Sequence, residues 1–572
     1  GGVRKRMQEV MEAGATVQLS LSASALVGAM GSPDPVAVLF FKSFGLHEWK
    51  PVGETEAFTA EPNPQFERRF TVDFHFELYQ EIRVVVFDRG LGSEERSARN
   101  MIGMCEFLLA SLVVAPGQTL EKALMNKGYG AANSASGPGR VKLTMSEVCD
   151  TNRQILHASL ALSSAFYEPG VAFGRVQRAS QFAEAQGAIK KLEQRMKSTL
   201  GMQQPLFPGT SFLEPVMVFF RHDEATDDWQ KVYETSPVYS LKHSEVHVTI
   251  SRLCGGDLSR PILIVVKTSG GDQKHLGSVQ SSVSALQMLN PGTAIDCDPA
   301  GSILFHQIEF ETCRTFLEFF TSGSVELALT FAIDLTSSNK DPRDPTSLHF
   351  LDPSGYPNEY EAVMRTLVNI LLNYCSGDHI KALGFGANVP PSYNVSHCFP
   401  LSFGGQEGIC TGVEGLIRTY RETLAKVFSH ELQLYGPTVL SEVIRHCANA
   451  TAQSYAGPSQ RVKYELLVVL TDGVLSDPDS TTRELIQASK LPMSVAIVGV
   501  GPENFSKARW LDASGDDGGT GTRLRYGNQF ALRDTTQFVQ FSKYEGNVSA
   551  LAADVLRKIP VQIAQFMQMH DL

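Results

Sequence analysis

The chain has no apolar run of about 18 residues, the length a membrane-crossing helix needs, and its opening, Gly1-Gly-Val-Arg-Lys-Arg6, has no apolar signal core. Neither a membrane span nor a secretory leader is expected. The nine cysteines, at 105, 149, 254, 297, 313, 375, 398, 410 and 447, form no Cys-x-x-Cys pair, which opposes a zinc site and fits reduced cytoplasmic thiols. The sequons at Asn394, Asn449 and Asn547 are then expected to stay bare. There is no initial methionine, so a missing upstream segment is expected, and Lys5 stands where a myristoylation signal wants Ser or Thr. Also lacking are a Gly-x-x-x-x-Gly-Lys-Ser/Thr phosphate loop, a His-Glu-x-x-His pair and a Gly-x-Ser-x-Gly elbow. His349, His397 and His446 read as surface or core residues rather than bases, and no enzyme is expected. A net charge of −11 is small for 572 residues and points to no nucleic acid.

What is present is an ordinary folded composition, 43% hydrophobic and 19% charged, at a length that suggests roughly three to four domains. One stretch organises the rest. Val325, Leu327, Leu329, Phe331 and Ile333 alternate as a buried strand, and Asp334, Thr336 and Ser338 follow at every second position. That places a carboxylate and two hydroxyls at the carboxyl edge of a sheet, where open α/β sheets bind ligands and where a hard cation finds oxygen donors. Leu466-Leu-Val-Val-Leu-Thr-Asp472-Gly473 repeats the design, and Tyr435-Gly-Pro-Thr438 lies between the two as a turn opening a helix. Asp334, Thr336, Ser338, Thr438 and Asp472 together resemble the metal-ion-dependent adhesion site of von Willebrand factor type A domains. The resemblance implies Mg²⁺ or Mn²⁺ held directly by the hydroxyls and largely through water by the aspartates. One position is left open for a carboxylate of a partner protein. Such a site recognises rather than turns over.

In chain order, residues 1–14 read as a polar lead. Short period-two segments then follow over residues 15–149 (Val36–Phe41, Phe70–Phe76, Ile82–Phe87, Val141–Met145) and again over 150–312 (Val216–Phe220, Val246–Ile250, Pro261–Val266), which predicts two antiparallel β-sandwiches. Residues 313–323 read as a linker. Over 324–572 strands alternate with helical patterns, including Glu359–Tyr374, Gly412–His430, Thr438–Ala452, Thr481–Ser489 and one closing helix, Val548–Met569. A doubly wound, mainly parallel α/β sheet is the expected architecture there.

Leu351-Asp-Pro-Ser-Gly-Tyr-Pro-Asn-Glu-Tyr360, Ala382-Leu-Gly-Phe-Gly-Ala387, Tyr435-Gly-Pro-Thr438 and Val498-Gly-Val-Gly501 resemble copines, and Ser32-Pro-Asp34-Pro35-Val36 with Val84-Val-Val-Phe-Asp88 resembles their first C2 domain. The resemblance implies a cytoplasmic adaptor, peripherally attached to anionic phospholipid membrane by two C2 domains, that recruits proteins through its A domain. Asp34 and Asp88 match two calcium-binding positions, but Gly90 and Asn100 stand where acids belong, leaving at most a weak residual Ca²⁺ site, with Glu94 and Glu95 as substitutes. In the second domain Lys267, Ser269 and His275 replace acids, which marks a C2 fold that has lost calcium. Its insert at 168–210 holds Ile189, Leu192, Met196 and Leu200 at helical spacing, with six basic residues against three acidic. Lys190, Lys191, Arg195 and Lys197 are the candidates there for holding anionic lipid, against the plainer reading of a solvated or partly disordered helix. The competing functional reading is a soluble, calcium-independent scaffold that uses only the A-domain metal site.

Overall fold

The computed structural model describes residues 15–28, 31–43, 48–91, 100–126, 137–148, 154–167, 215–223, 228–238, 243–255, 257–269, 274–312, 314–391, 393–402, 408–455, 457, 461–473, 475–503, 505, 524–544 and 546–570. The lead and the insert with Lys190, Lys191, Arg195 and Lys197 lie outside them. Two compact units result: Met11–Val148 together with Arg314–Leu572, and Cys149–Cys313.

The first sandwich follows from the alternation in its strands. Val17, Leu19, Leu21 and Ala23 face inward from Ala15–Ser24, while the residues between them stay partly exposed. One sheet runs in the order Phe70–Phe74, Ala15–Ser24, Arg140–Glu147, Thr119–Ala123, and the other in the order Lys50–Glu54, Pro35–Ser43, Gln80–Asp88, Met101–Leu108. The Cys149–Cys313 unit is also a pair of four-stranded antiparallel sheets, centred on Pro215–Asp223 with Pro261–Thr268 and on Gln154–Leu162 with Ser302–Thr312. Its core is separate.

The C-terminal part carries a mixed seven-stranded sheet. Its order is Phe399–Pro400, Cys375–Phe385, Val325–Asp334, Val462–Thr471, Met493–Gly499, Thr536–Gln540; the last five are parallel, and Ile409–Thr411 joins Phe399–Pro400 in pairing antiparallel to Cys375–Phe385. Glu359–Leu371 is helical because Tyr360, Val363, Met364, Leu367, Val368 and Leu371 fall on one buried face and Asn358 caps its start. It shares a core with Gly412–Phe428, while Ser441–Ser454 and Pro478–Ala488 pack on the other face of the sheet. Two helix boundaries differ from expectation. Thr438 lies ahead of its helix, which starts at Ser441, where Asp477 receives the amides of Leu440 and Ser441 at 3.2 and 3.1 Å. The closing helix is two, Val548–Leu556 and Ile559–Met569, because Pro560 cannot sit in a helix interior but suits a first turn.

The stretch read as a linker contains a helix, Phe316–Thr321, started by a capping box between Thr315 and Glu318. Its phenylalanines are buried, and they join the first sandwich to the C-terminal part. Phe76 packs on Phe316 and Tyr374 at centroid distances of 5.0 and 4.5 Å, and Phe320 lies 5.6 Å from Tyr374. Around this apolar centre, Tyr374 Oη donates to Phe76 O at 3.4 Å and Gln118 Nε2 to Thr321 O at 2.9 Å. Thr315 Oγ1 donates to Glu147 Oε2 at 3.0 Å, so the chain leaves this unit and re-enters it within one hydrogen bond. The Cys149–Cys313 unit is therefore an insertion.

Candidate metal centre

Val325–Asp334 crosses the middle of the mixed sheet, and its last residue begins the site. Asp334 is fully buried. Its Oδ1 accepts Thr336 N at 2.9 Å and Thr336 Oγ1 at 2.6 Å, and its Oδ2 accepts Thr471 Oγ1 at 2.5 Å. Ser338 Oγ donates to Asp472 Oδ1 at 2.9 Å and lies 2.9 Å from Thr336 Oγ1. Each hydroxyl has one proton. With Thr336 donating to Asp334 and Ser338 to Asp472, none is left for the approach between the two hydroxyl oxygens. Lone pairs converge there.

Thr438 reaches the same place from a third segment. Ser337 N donates to Tyr435 O at 2.6 Å and Tyr435 N to Gly386 O at 3.0 Å, which lays the Tyr435–Thr438 turn across the Thr336–Ser338 loop. A Cβ added at Gly473 would stand 3.3 Å from Thr438 Oγ1, so that hydroxyl borders the Asp472–Gly473 turn. All five residues singled out in the sequence thus lie together.

The donor set fits a hard divalent cation. Two carboxylates are buried side by side, and among the described residues neither has an ion-pair partner. Burial, then the neighbouring Asp334 charge, pushes Asp472 up to about 7, and burial raises Asp334 as well. Carboxylate and hydroxyl oxygens are ligands for Mg²⁺ or Mn²⁺. Among the described residues there is no group of three or more His, Cys, Asp or Glu that could hold a metal.

Sequence reading missed the residues that hold this loop. Thr471 was visible only as the neighbour of Asp472, yet it fixes the second oxygen of Asp334. His349, read as a surface or core residue, lies in the core and sets Nε2 2.8 Å from Asp334 O and Nδ1 2.8 Å from Tyr420 Oη. Burial brings its imidazole down to about 4, so at neutral pH it adds no positive charge to the site. Tyr360 Oη donates to Asn339 Oδ1 at 2.7 Å and anchors the loop to the helix Glu359–Leu371. No spacing in sequence signals these long-range supports.

Gly386 is a further one. Its φ is +81°, and a Cβ there would run into Thr336 Cγ2. Gly386→Ala is expected to cost about 1–3 kcal/mol in urea unfolding and to weaken Mg²⁺ affinity by about 10–100-fold in calorimetry, by displacing a ligand. Unchanged affinity would show that the contact does not position Thr336.

The two acids of the first sandwich also meet. Asp34 Oδ1 accepts Ala60 N at 2.7 Å, and Asp88 Oδ1 accepts Asp34 N at 3.0 Å and Gly90 N at 3.1 Å. Gly90 lies between the two: a Cβ there would stand 3.1 Å from Asp34 Oδ2 and 3.3 Å from Asp88 Oδ1. Half of their oxygens are already committed to holding loops, against the roughly 6–8 oxygens Ca²⁺ takes. Glu94 and Glu95 lie outside the described residues. In the second sandwich Lys267 is nearly buried, with Nζ 3.4 Å from Glu234 Oε2.

Residues 17–124 match the family model for the C2 domain, and residues 347–572 match the one for Copine. The second match takes in Thr438 and Asp472 but starts beyond Asp334, Thr336 and Ser338. Among solved structures, a single C2 domain, the A copy, of plant extended synaptotagmin 1 is similar at 17% identity, over 24% of this chain and 98% of that one, with a TM-score of 0.18. The paired C2 domains, A and B, of extended synaptotagmin 2 are similar at 11% identity, over 52% of this chain and 91% of that one, with a TM-score of 0.19. Scores this low add nothing to the family matches.

Proposed function

Because the chain belongs to the copine family, with a C2 domain followed by a copine domain, we propose that it is a membrane-associating adaptor whose copine domain captures partner proteins through a divalent cation. The single observation that carries this reading is the pair of buried carboxylates, without a counter-charge among the described residues, joined by the Thr336 and Ser338 hydroxyls, whose oxygens lie 2.9 Å apart. Mg²⁺ or Mn²⁺ held there would supply a positive field that attracts a partner's carboxylate. Asp334 and Asp472 supply the charge, Thr336, Ser338 and Thr438 the hydroxyls, and Thr471, His349 and Asn339 hold the loop in place. We read the copine domain as a doubly wound, von Willebrand factor A-like fold, and Cys149–Cys313 as a second C2 domain without calcium.

The first C2 domain is proposed to dock on anionic phospholipid from the cytoplasmic side. No helix of the described residues is long and apolar enough to cross a membrane, so attachment through the described part would be peripheral. The commitment of Asp34 and Asp88 to backbone amides favours docking that does not wait for calcium. Purified chain is expected to co-sediment with phosphatidylserine vesicles in Ca²⁺ and in chelator alike, and less at high salt. Binding only with Ca²⁺ would restore a calcium switch at Asp34 and Asp88. Binding in neither condition would leave the soluble metal-dependent scaffold.

A further inference from the structure

The aromatic contact between Phe76, Phe316, Phe320 and Tyr374 lies at a particular end of each partner. On the first sandwich, Phe76 precedes the strand Gln80–Asp88 and the helix Leu109–Val114 follows Met101–Leu108, whose end pairs with Glu81. Asp34, Asp88 and Gly90 stand at the other end of those same strands. On the copine domain, Phe316–Thr321 precedes Val325–Asp334 and Tyr374 precedes Cys375–Phe385, so the contact sits under the amino edge of the sheet. The metal centre caps its carboxyl edge. Each functional end is therefore a full strand away from the contact, roughly 30 Å on either side at ~3.3 Å per residue.

The contact has the character of an interior rather than a hinge. Phe76, Leu109, Leu112, Val113, Leu317, Phe319 and Tyr374 are all within 2% of full burial, and they belong to one continuous core that runs through both domains. Ser111 to Asn373, Gln118 to Thr321 and Thr315 to Glu147 add polar ties around it. Relative motion would have to expose this core to water.

We propose that the first sandwich and the copine domain form one rigid spacer, which holds the metal centre away from whatever surface the Asp34–Asp88 end meets. The proposal rests on the functional reading above for what the two ends bind, but not for the geometry. Its consequence is a class of partner: with the acid loops on a lipid surface, the metal centre faces away from it and meets proteins, not lipid headgroups.

Ser32, exposed beside Asp34, and Ser354, exposed on a loop at the metal end, are positions for a probe pair. Unnatural amino acids there, labelled in the full chain, are expected to give a single narrow distance distribution centred between about 40 and 60 Å, the upper figure being the two strand lengths end to end. The double variant Phe76→Ser/Tyr374→Ala should broaden it. A broad distribution in the unsubstituted chain, or a centre below about 40 Å, would overturn the spacer. On phosphatidylserine vesicles carrying an acceptor lipid, a donor at Ser32 is expected to transfer strongly and one at Ser354 several-fold less; equal transfer would overturn the orientation. If the chain does not sediment with those vesicles at all, the lipid reading and the orientation fall with it, while the distance result decides the spacer on its own.

Discussion

Asp334→Asn is expected to reduce Mg²⁺ and Mn²⁺ affinity by about 100-fold or more while leaving the metal-free protein folded, since the site loses a charge and one acceptor oxygen while the amide keeps the side chain's shape and the other oxygen. Two effects separate here. In the metal-free chain Asp334 is a buried carboxylate beside a second one, held by hydrogen bonds from Thr336 and Thr471 and, among the described residues, by no cation. Its neutral isostere removes that repulsion, so unfolding in chelator should shift little or in the stabilising direction. With metal the comparison inverts: a ligand that binds only the folded state adds about 2.7 kcal/mol at a hundredfold excess over its dissociation constant, and the variant should forfeit most of it. The check is a pair of melting curves, with chelator and with Mg²⁺, beside a calorimetric titration. A metal-dependent rise in both proteins would dismiss Asp334 as a ligand.

Phe76→Ala is expected to cost about 3–5 kcal/mol, the range for a buried phenylalanine, and to destabilise the first sandwich and the copine domain together. Phe76 is 2% exposed and contacts residues that are remote in sequence, Phe316 and Tyr374, so the cavity opens in a core both domains share. Urea unfolding followed by hydrogen exchange, with peptides read from Gln80–Asp88 and from Val325–Asp334, should show both segments losing protection at the same lowered midpoint. Loss confined to the sandwich would mean that the two domains unfold separately.

The strands and helices were legible wherever a period repeats for long enough. Val17 to Ala23 alternate and emerge as a strand with that burial, and Tyr360 to Leu371 hold one helical face. The five site residues were readable because each sits at the end of an apolar run or in a turn, where regular structure meets loop. The rest depended on contacts between segments far apart. Nothing around His349 announces that its ring will bond Asp334 O, and Phe316-Leu-Glu-Phe-Phe320 looked like a linker because its partners, Phe76 and Tyr374, are supplied by other parts of the chain. Thr438 was assigned to its helix because a Gly-Pro turn commonly opens one. The Asp477 carboxylate, which takes up the amides of Leu440 and Ser441, comes from beyond the next strand.

The joining of Phe76 to Tyr374 also sets a timetable for biosynthesis. The two residues are 298 positions apart, so at about 5–20 residues per second a ribosome needs on the order of 15 to 60 seconds to deliver the second after the first. Until Phe316–Thr321 and then Tyr374 emerge, Phe76 and the side of Leu109–Val114 that faces them lack their native cover. The inserted unit emerges meanwhile and has its own core to close. A nascent chain of this length therefore carries an open apolar surface, and such a surface is a chaperone's substrate.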